Sequence, residues 1–365
     1  MSWPCRKTII ISRCFWDYYL HVFQKDYAYE LKNEYDVDVT WIDRPTRNPM
    51  LWFKERRRVV DGITVLRPWS LSNEYEKFNS YDRKIFNLQI SKELYTKHPT
   101  ALWSICCMHP WLSRKKAFAY KIYWPGDHFD PKEEYLQYQD YDLVMPWFGL
   151  DDVPSEFTGK RFLSSTCAGS EFMNFRTLNT LPRAFREAIH FRKRISYIGG
   201  LSYERFDFEL MEKLASSMPN NAFLLGVKSD GLEATETAKV NLLKNNKNIR
   251  IFEDLNYQEL AELVSFSDLG IIPYKIHGQN LRICPNKFFE YSALGKMTVT
   301  TAIPSMNRYS PPAKIAYSHE EFIRLLNETL FCPHVKGQLI DLRKIAEEAS
   351  AKKTIPKLAN ALKND

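Results

Sequence analysis

Ile271-Ile272-Pro273-Tyr274, followed after a polar loop by Pro285-Asn286-Lys287-Phe288-Phe289-Glu290-Tyr291-Ser292-Ala293-Leu294-Gly295-Lys296, is the stretch that decides how this chain folds. An apolar strand ends in Pro-Tyr. A proline then opens a helix with a lysine in its first turn and a glutamate three residues on, and Gly295 closes it. A second β-rich segment, Met297–Thr301, follows. Proline suits the first helical position, where its missing N–H would be unpaired anyway. The exposed N–H groups beyond it and the helix dipole favour an anion. Lys287 adds a full charge there. Glu290 lies near the same face and has the acceptor capacity for two sugar hydroxyls.

Working outward, apolar strand-like and helix-like segments alternate along the chain, which predicts parallel α/β architecture. In the first half Thr8–Ser12, Asp38–Asp43 and Gly62–Leu66 read as strands, and Tyr18 to Asn33 has helical spacing. Ala101–Cys107, Lys121–Trp124, Tyr141–Pro146 and Arg161–Ser164 are further strand candidates. In the second half Arg194–Gly200, Ala222–Gly226, Ile249–Phe252 and Leu269–Pro273 read as strands. Asn256–Glu259 and Ser318–Glu321 have the capping-box pattern that opens a helix. The expected domains are residues 1–180, residues 181–340, and a helical tail over 341–365 that can pack back on the first.

The 365 residues suffice for two such domains. No run approaches the roughly 20 apolar residues that span a bilayer, and the short apolar stretch near Met1 lacks a signal-peptide cleavage pattern, so a cytoplasmic location is expected. The seven cysteines include no CxxC pair, so neither a disulfide framework nor a zinc site is expected. The net charge of +7 is spread evenly over both halves. It suits anionic substrates or an anionic membrane surface, not a dedicated nucleic-acid binder. Lys54-Glu55-Arg56-Arg57-Arg58, preceded by Trp52-Phe53, reads as a solvated surface loop or as a contact for a lipid headgroup or acceptor phosphate.

Gly199-Gly200 follows a strand and precedes a helix, where the lack of a Cβ lets backbone approach a phosphate. No GxGxxG occurs, which disfavours a dinucleotide-binding dehydrogenase. Asp36-Val37-Asp38, a pattern that elsewhere binds metal, precedes a strand and reads as solvated.

The pattern strand-Pro-Tyr…Pro-x-Lys-φ-φ-Glu-Tyr-x-Ala-x-Gly-Lys, with φ apolar, resembles the donor-binding domain of GT-B glycosyltransferases. It is similar above all to teichuronic acid-type and other exopolysaccharide enzymes and, more distantly, to the xanthan glucuronosyltransferase. The resemblance covers residues 195–305 well and the rest loosely. It implies two Rossmann-like domains facing across a cleft. The activity implied is transfer of a sugar from a nucleotide-sugar donor, UDP-linked in the usual case, to a saccharide or lipid-linked saccharide hydroxyl in surface polysaccharide synthesis. Lys287 would then bind the diphosphate and Glu290 the ribose, with Gly199, Gly200, Tyr274 and Asn286 completing the donor site. Asp127, in Tyr123-Trp124-Pro125-Gly126-Asp127-His128, falls where such enzymes carry a carboxylate that serves as base, and Asp17 is the reserve. Trp16, His109, Lys275 and Arg282 are candidate acceptor or sugar contacts. No metal and no cofactor are implied, since lysine and helix dipole stabilise the leaving diphosphate. Peripheral association with the inner membrane surface is compatible with this reading.

Many retaining relatives carry a second glutamate seven residues before the first; here that position is Ile283, and the stereochemical outcome stays open. Three other readings share the fold. A transferase for modified DNA bases would show salt-sensitive duplex binding. A nucleotide-sugar epimerase would consume donor without acceptor. A non-catalytic binding protein would hold UDP and never turn over.

Overall fold

The computed structural model describes residues 2–17, 23–72, 74–94, 97–106, 110–114, 117–125, 138–147, 149–150, 153–176, 183–228, 233–331 and 336–363. The chain forms two compact units. One comprises Met1–Ser165 with Ser350–Asp365, the other Thr166–Ala349. The first stretch of unit one therefore ends at Ser165, whereas residues 1–180 were expected for the first domain.

Unit one is built on β1 (Lys7–Ser12), β2 (Asp38–Ile42), β3 (Arg57–Val60), β4 (Ile63–Leu66), β5 (Thr100–Ile105), β6 (Tyr120–Trp124), β7 (Leu143–Val144) and β8 (Lys160–Arg161). Their order in the sheet is β3-β4-β2-β1-β5-β6-β7-β8, parallel except for the β3–β4 pair. Every residue of β1 and β5 is buried, as suits central strands covered on both faces. Side chains alternate across the sheet. Ile9 and Ile11 meet Phe86, Ile90 and Leu94 of the helix α3 (Ser80–Leu94) in one core. Behind the sheet, the β2, β5 and β6 tryptophans Trp41, Trp103 and Trp124 are fully buried. Trp103 stacks on Trp124 at 5.7 Å, and Tyr27 of α1 (Gln24–Tyr35) sets its edge on Trp124 at 4.8 Å. Such aromatic pairs contribute about 0.5–1.5 kcal/mol each beyond the area they bury.

Two expectations are corrected here. The stretch Lys54–Arg58 is no loop. Pro49–Glu55 forms a short helix, α2, and Arg57–Val60 pairs with β4 as the antiparallel edge strand β3. Asn48 caps α2 by accepting from the Met50 and Leu51 N–H groups. The β7 and β8 strands are also shorter than their apolar runs suggest, at two residues each, although Phe162 N and Ser164 N go on to donate to the Val144 and Pro146 carbonyls at 2.9 and 2.8 Å.

Unit two carries β9 (Lys193–Gly200), β10 (Asn221–Lys228), β11 (Ile249–Glu253), β12 (Leu269–Ile272), β13 (Thr298–Thr301) and β14 (Ala313–Ala316), all parallel, in the order β11-β10-β9-β12-β13-β14. The chain winds outward from β9 to β11, then crosses back to lay β12 on the other side of β9. The reversal leaves a crevice at the carboxyl ends of β9 and β12, where open α/β sheets hold ligands.

The tail is two helices, Lys336–Ala349 in unit two and Ala351–Lys363 in unit one, broken at Ser350. The second packs on α1, and Lys363 donates to the Ser2 carbonyl at 2.6 Å. No helix among the described residues is long and apolar enough to cross a membrane.

Candidate functional site

The helix announced by the sequence is Asn286–Ala293. Pro285 precedes it as the cap, with φ −66° and ψ 119°, one position earlier than expected. Among the described residues no side chain caps this N-terminus. Apart from the Phe288 N–H, which donates to the Pro285 carbonyl at 3.2 Å, its first-turn N–H groups and its dipole are left for a ligand. Gly295, at φ 68°, takes the left-handed conformation that ends helices.

Three contacts set this helix on the sheet. The Tyr291 hydroxyl accepts from Ile198 N at 3.2 Å and lies 3.3 Å from the Ser196 and Ile271 carbonyl oxygens, bridging β9 and β12. Gly270 in β12 makes room for the Tyr291 ring, since a Cβ there would sit 2.4 Å from it. The loop before the helix is tied by Thr166, whose hydroxyl donates to the Cys284 carbonyl at 3.1 Å.

Lys287 therefore points to the end of β9. Its Nζ donates to the Tyr274 hydroxyl at 2.6 Å and lies over the Tyr274 and Tyr197 rings at 5.2 and 5.4 Å. It has no carboxylate partner among the described residues. Gly199 and Gly200 finish β9 beside it. Gly199 has φ +127°, and a Cβ there would meet Lys287 Cε and Nζ at 2.6 Å, whereas a Cβ on Gly200 would meet nothing within 4 Å. The buried Tyr197 donates to the Gly200 carbonyl at 2.6 Å and so fixes the turn. Burial holds the Tyr197 phenol well above its ordinary pKa, so it stays a donor.

Gly199→Ala should therefore strain the backbone by about 1–3 kcal/mol and push the lysine from its seat. Expected is a lower melting temperature, read by calorimetry, while Gly200→Ala stays close to the unmodified protein in stability.

Glu290, one turn on, is buried, and its Oε1 accepts from the Tyr257 hydroxyl at 2.6 Å. Tyr257 accepts in turn from Gly169 N at 3.3 Å. Burial, reinforced by the Glu290 charge, keeps this phenol protonated far above its ordinary pKa. Tyr257 thus fixes the carboxylate in one orientation. It stands at the start of the helix Tyr257–Phe266, opened by the expected capping box in which Glu259 N donates to Asn256 Oδ1 at 2.9 Å.

Sequence reasoning missed Tyr257, which only the fold brings to Glu290. It also missed Arg205, in the turn after the glycine pair. The Arg205 charge acts on Tyr197 in the direction that favours its phenolate, against the larger effect of burial. The Asn280 amide donates to the Arg205 and Lys275 carbonyls at 3.2 and 2.9 Å, which ties that turn to the loop after β12. Of the remaining candidates in this unit, Asn286 is the first residue of the helix that ends at Ala293. Lys275 donates to the Tyr203 carbonyl at 2.7 Å and lies 3.6 Å over its ring. Arg282 ends the 3-10 turn Gly278–Arg282, and Ile283 is buried.

In unit one the equivalent reversal of strand order lies between β1 and β5. Asp127 and His109 lie outside the described residues. Trp16 is buried, with its ring edge-on to Trp41 at 5.3 Å and the Lys25 ammonium 5.2 Å above it. Asp17 is half-exposed and ion-paired to Arg58 and, at 3.6 Å, to Arg67. The organiser of this loop is Asp43, at the end of β2. It accepts from Trp16 N at 2.6 Å, Trp41 Nε1 at 2.9 Å and Arg67 Nη2 at 3.1 Å. Burial pushes the Asp43 carboxyl up to about 6 against the pull of the Trp16 N–H, Arg67 and Arg58. Asp36 and Asp38 have local roles. Asp36 ends α1 at φ 51°, and Asp38 lies 3.5 Å from Lys7.

No family model matches the sequence. A Bacillus subtilis (strain 168) protein named "Putative teichuronic acid biosynthesis glycosyltransferase TuaH" is 28% identical over 145 residues, 40% of this chain and 35% of that protein. The match thus spans about a third of the relative's length. Solved structures similar in fold include the E. coli protein described as "Trehalose-6-phosphate from E. coli bound with UDP-2-fluoro glucose". Its TM-score is 0.72 at 12% identity, over 98% of this chain and 99% of that one. A Burkholderia xenovorans alpha,alpha-trehalose-phosphate synthase in complex with glucose-6-phosphate gives 0.70 at 10% identity, over 98% and 100%. WaaG, a glycosyltransferase involved in lipopolysaccharide biosynthesis, gives 0.64 at 11%, again over 98% and 100%. The fold is GT-B. The resemblance carried by the donor-helix pattern is met by a relative named for teichuronic acid biosynthesis.

Proposed function

We propose that this protein is a glycosyltransferase that moves a sugar from a UDP-linked donor to a hydroxyl of a saccharide or lipid-linked saccharide acceptor in surface polysaccharide synthesis. The observation that carries this reading is the Lys287 ammonium. It has no carboxylate partner among the described residues and is held between Tyr274, Gly199 and an uncapped helix N-terminus, with a fixed carboxylate one turn away. The TuaH match and the UDP-sugar complex among the fold neighbours support a nucleotide-sugar donor.

In the reaction, a base takes the proton of the acceptor hydroxyl. The oxygen attacks the anomeric carbon as the bond from that carbon to the diphosphate oxygen breaks. The electron pair leaves with the nucleoside diphosphate, and charge grows on its phosphate oxygens. Lys287 and the first-turn N–H groups stabilise that charge more strongly in the transition state than in the bound donor. Glu290, oriented by Tyr257, accepts from the ribose hydroxyls. The open space at Gly200 leaves room for phosphate or sugar.

We assign the base to Asp127. Asp17, already bound to two guanidinium groups, is the weaker choice. Asp127→Asn is expected to retain UDP binding and to lose roughly 10²–10⁴-fold in turnover, the usual contribution of general-base catalysis; turnover equal to the unmodified enzyme would remove the assignment. Because a cationic side chain and the helix N–H groups carry the leaving group's charge, no metal ion is required, and a chelator should leave the rate unchanged. We place the reaction on the cytoplasmic side of the inner membrane, where nucleotide sugars and lipid-linked acceptors meet.

A further inference from the structure

A second cationic feature lies in unit one, among residues that the transfer chemistry leaves unused. A cavity of about 390 Å³ opens between α2, the β3–β4 edge and α3. It is lined by Trp52, Arg56, Arg57, Arg67, Gln89 and Lys92, among others. Arg57 is paired with Glu93, and Arg67 with Asp43 and Glu55. Arg56 and Lys92, with Lys54 beside them, have no carboxylate partner among the described residues. The wall therefore carries an uncompensated positive charge. The volume falls in the range of small-ligand pockets, roughly 300–1,000 Å³.

The elements that line this cavity also expose apolar side chains. Met50 and Phe53, three residues apart on α2 and so on one face of it, are 82% and 69% exposed. The Phe53 ring lies 5.4 Å from the Arg56 guanidinium and thus beside the cavity. On α3, Leu88 is 75% exposed and stands one turn before Lys92. Val59, on the edge strand next to Arg57 and Arg58, is 66% exposed. A single exposed apolar side chain needs no explanation. Large apolar side chains exposed on the two helices that line an uncompensated cationic pocket match the chemistry of a surface that lies on a bilayer.

We propose that this face docks the protein on an anionic phospholipid membrane. The headgroup phosphate enters the cavity against Arg56 and Lys92, and Met50, Phe53 and Leu88 insert among the acyl-chain ends. Basic residues near such a surface gain from its negative potential, and the gain decays within a Debye length. Nucleic acid would use the cations but would leave the exposed apolar side chains in water, so lipid accounts for both kinds of side chain. The docking is independent of the transfer chemistry, because none of these residues belongs to the donor site.

The test is co-sedimentation of the whole protein with vesicles of phosphatidylcholine alone or mixed with phosphatidylglycerol. One variant carries Arg56→Glu with Lys92→Glu, the other Met50→Ser with Phe53→Ser. All four positions are exposed, so melting temperature and UDP titration should match the unmodified protein and report separately on folding and on the donor site. Expected is binding to the anionic vesicles only, weakened by salt and lost in both variants, with each cation worth roughly fivefold in affinity. Absence of binding to anionic vesicles would overturn the proposal. So would binding that survives both variants. Loss in the charge variant alone, with duplex DNA bound instead, would identify a polyanion site and equally overturn it.

Discussion

Replacing Lys287 by alanine is expected to lower sugar transfer by roughly 10²–10³-fold, the cost of removing one preorganised donor from a developing anion. The loss should fall on turnover more than on donor affinity, because charge on the diphosphate grows as the glycosidic bond breaks. Stability should change little. Lys287 makes one hydrogen bond, to Tyr274, and no ion pair within the described residues. The substitution therefore separates a lysine kept for a ligand from one kept for the fold. Steady-state kinetics with saturating acceptor, together with a thermal melt, would check both halves.

The second large effect concerns Glu290. If its carboxylate receives two ribose hydroxyls, Glu290→Ala removes two charge-assisted hydrogen bonds of about 1.5–3 kcal/mol each. That corresponds to at least ~10²-fold in UDP affinity, at about 1.4 kcal/mol for every tenfold. The alanine variant also leaves the buried Tyr257 hydroxyl without its acceptor. A stability loss of about 1–3 kcal/mol should accompany it. Glu290→Gln resolves the two effects. The amide oxygen can still accept from Tyr257, so the fold is retained, while the neutral group binds the ribose less strongly. Nucleotide affinity that falls in both variants, with stability that falls only in the alanine, is the expected pattern.

The donor helix was legible because its punctuation is local. Pro285 and Gly295 bracket eight helical residues, and the flanking apolar runs became β12 and β13. The Asn256 capping box was legible for the same reason, since partners three residues apart need no fold to meet. The parts of the site that depend on distant pairing were not. Tyr257 and Glu290 are 33 residues apart, and nothing near either announces the other. Trp16 read as an acceptor or sugar contact, and nothing near it announces that the buried Asp43 accepts from its N–H across 27 residues. The Arg56–Arg58 run read as loop because an edge strand exposes alternate side chains and needs no apolar face. The break at Ser350 was hidden in a continuous helical composition.

The most direct test of the donor site is calorimetric titration of the protein with UDP, run beside Glu290→Gln and Lys287→Ala. The expected result is one saturable site in the unmodified protein, strongly weakened in the glutamine variant and moderately in the alanine variant. A protein that takes up no UDP, or binds it equally in all three forms, would contradict the placement of the nucleotide on this helix.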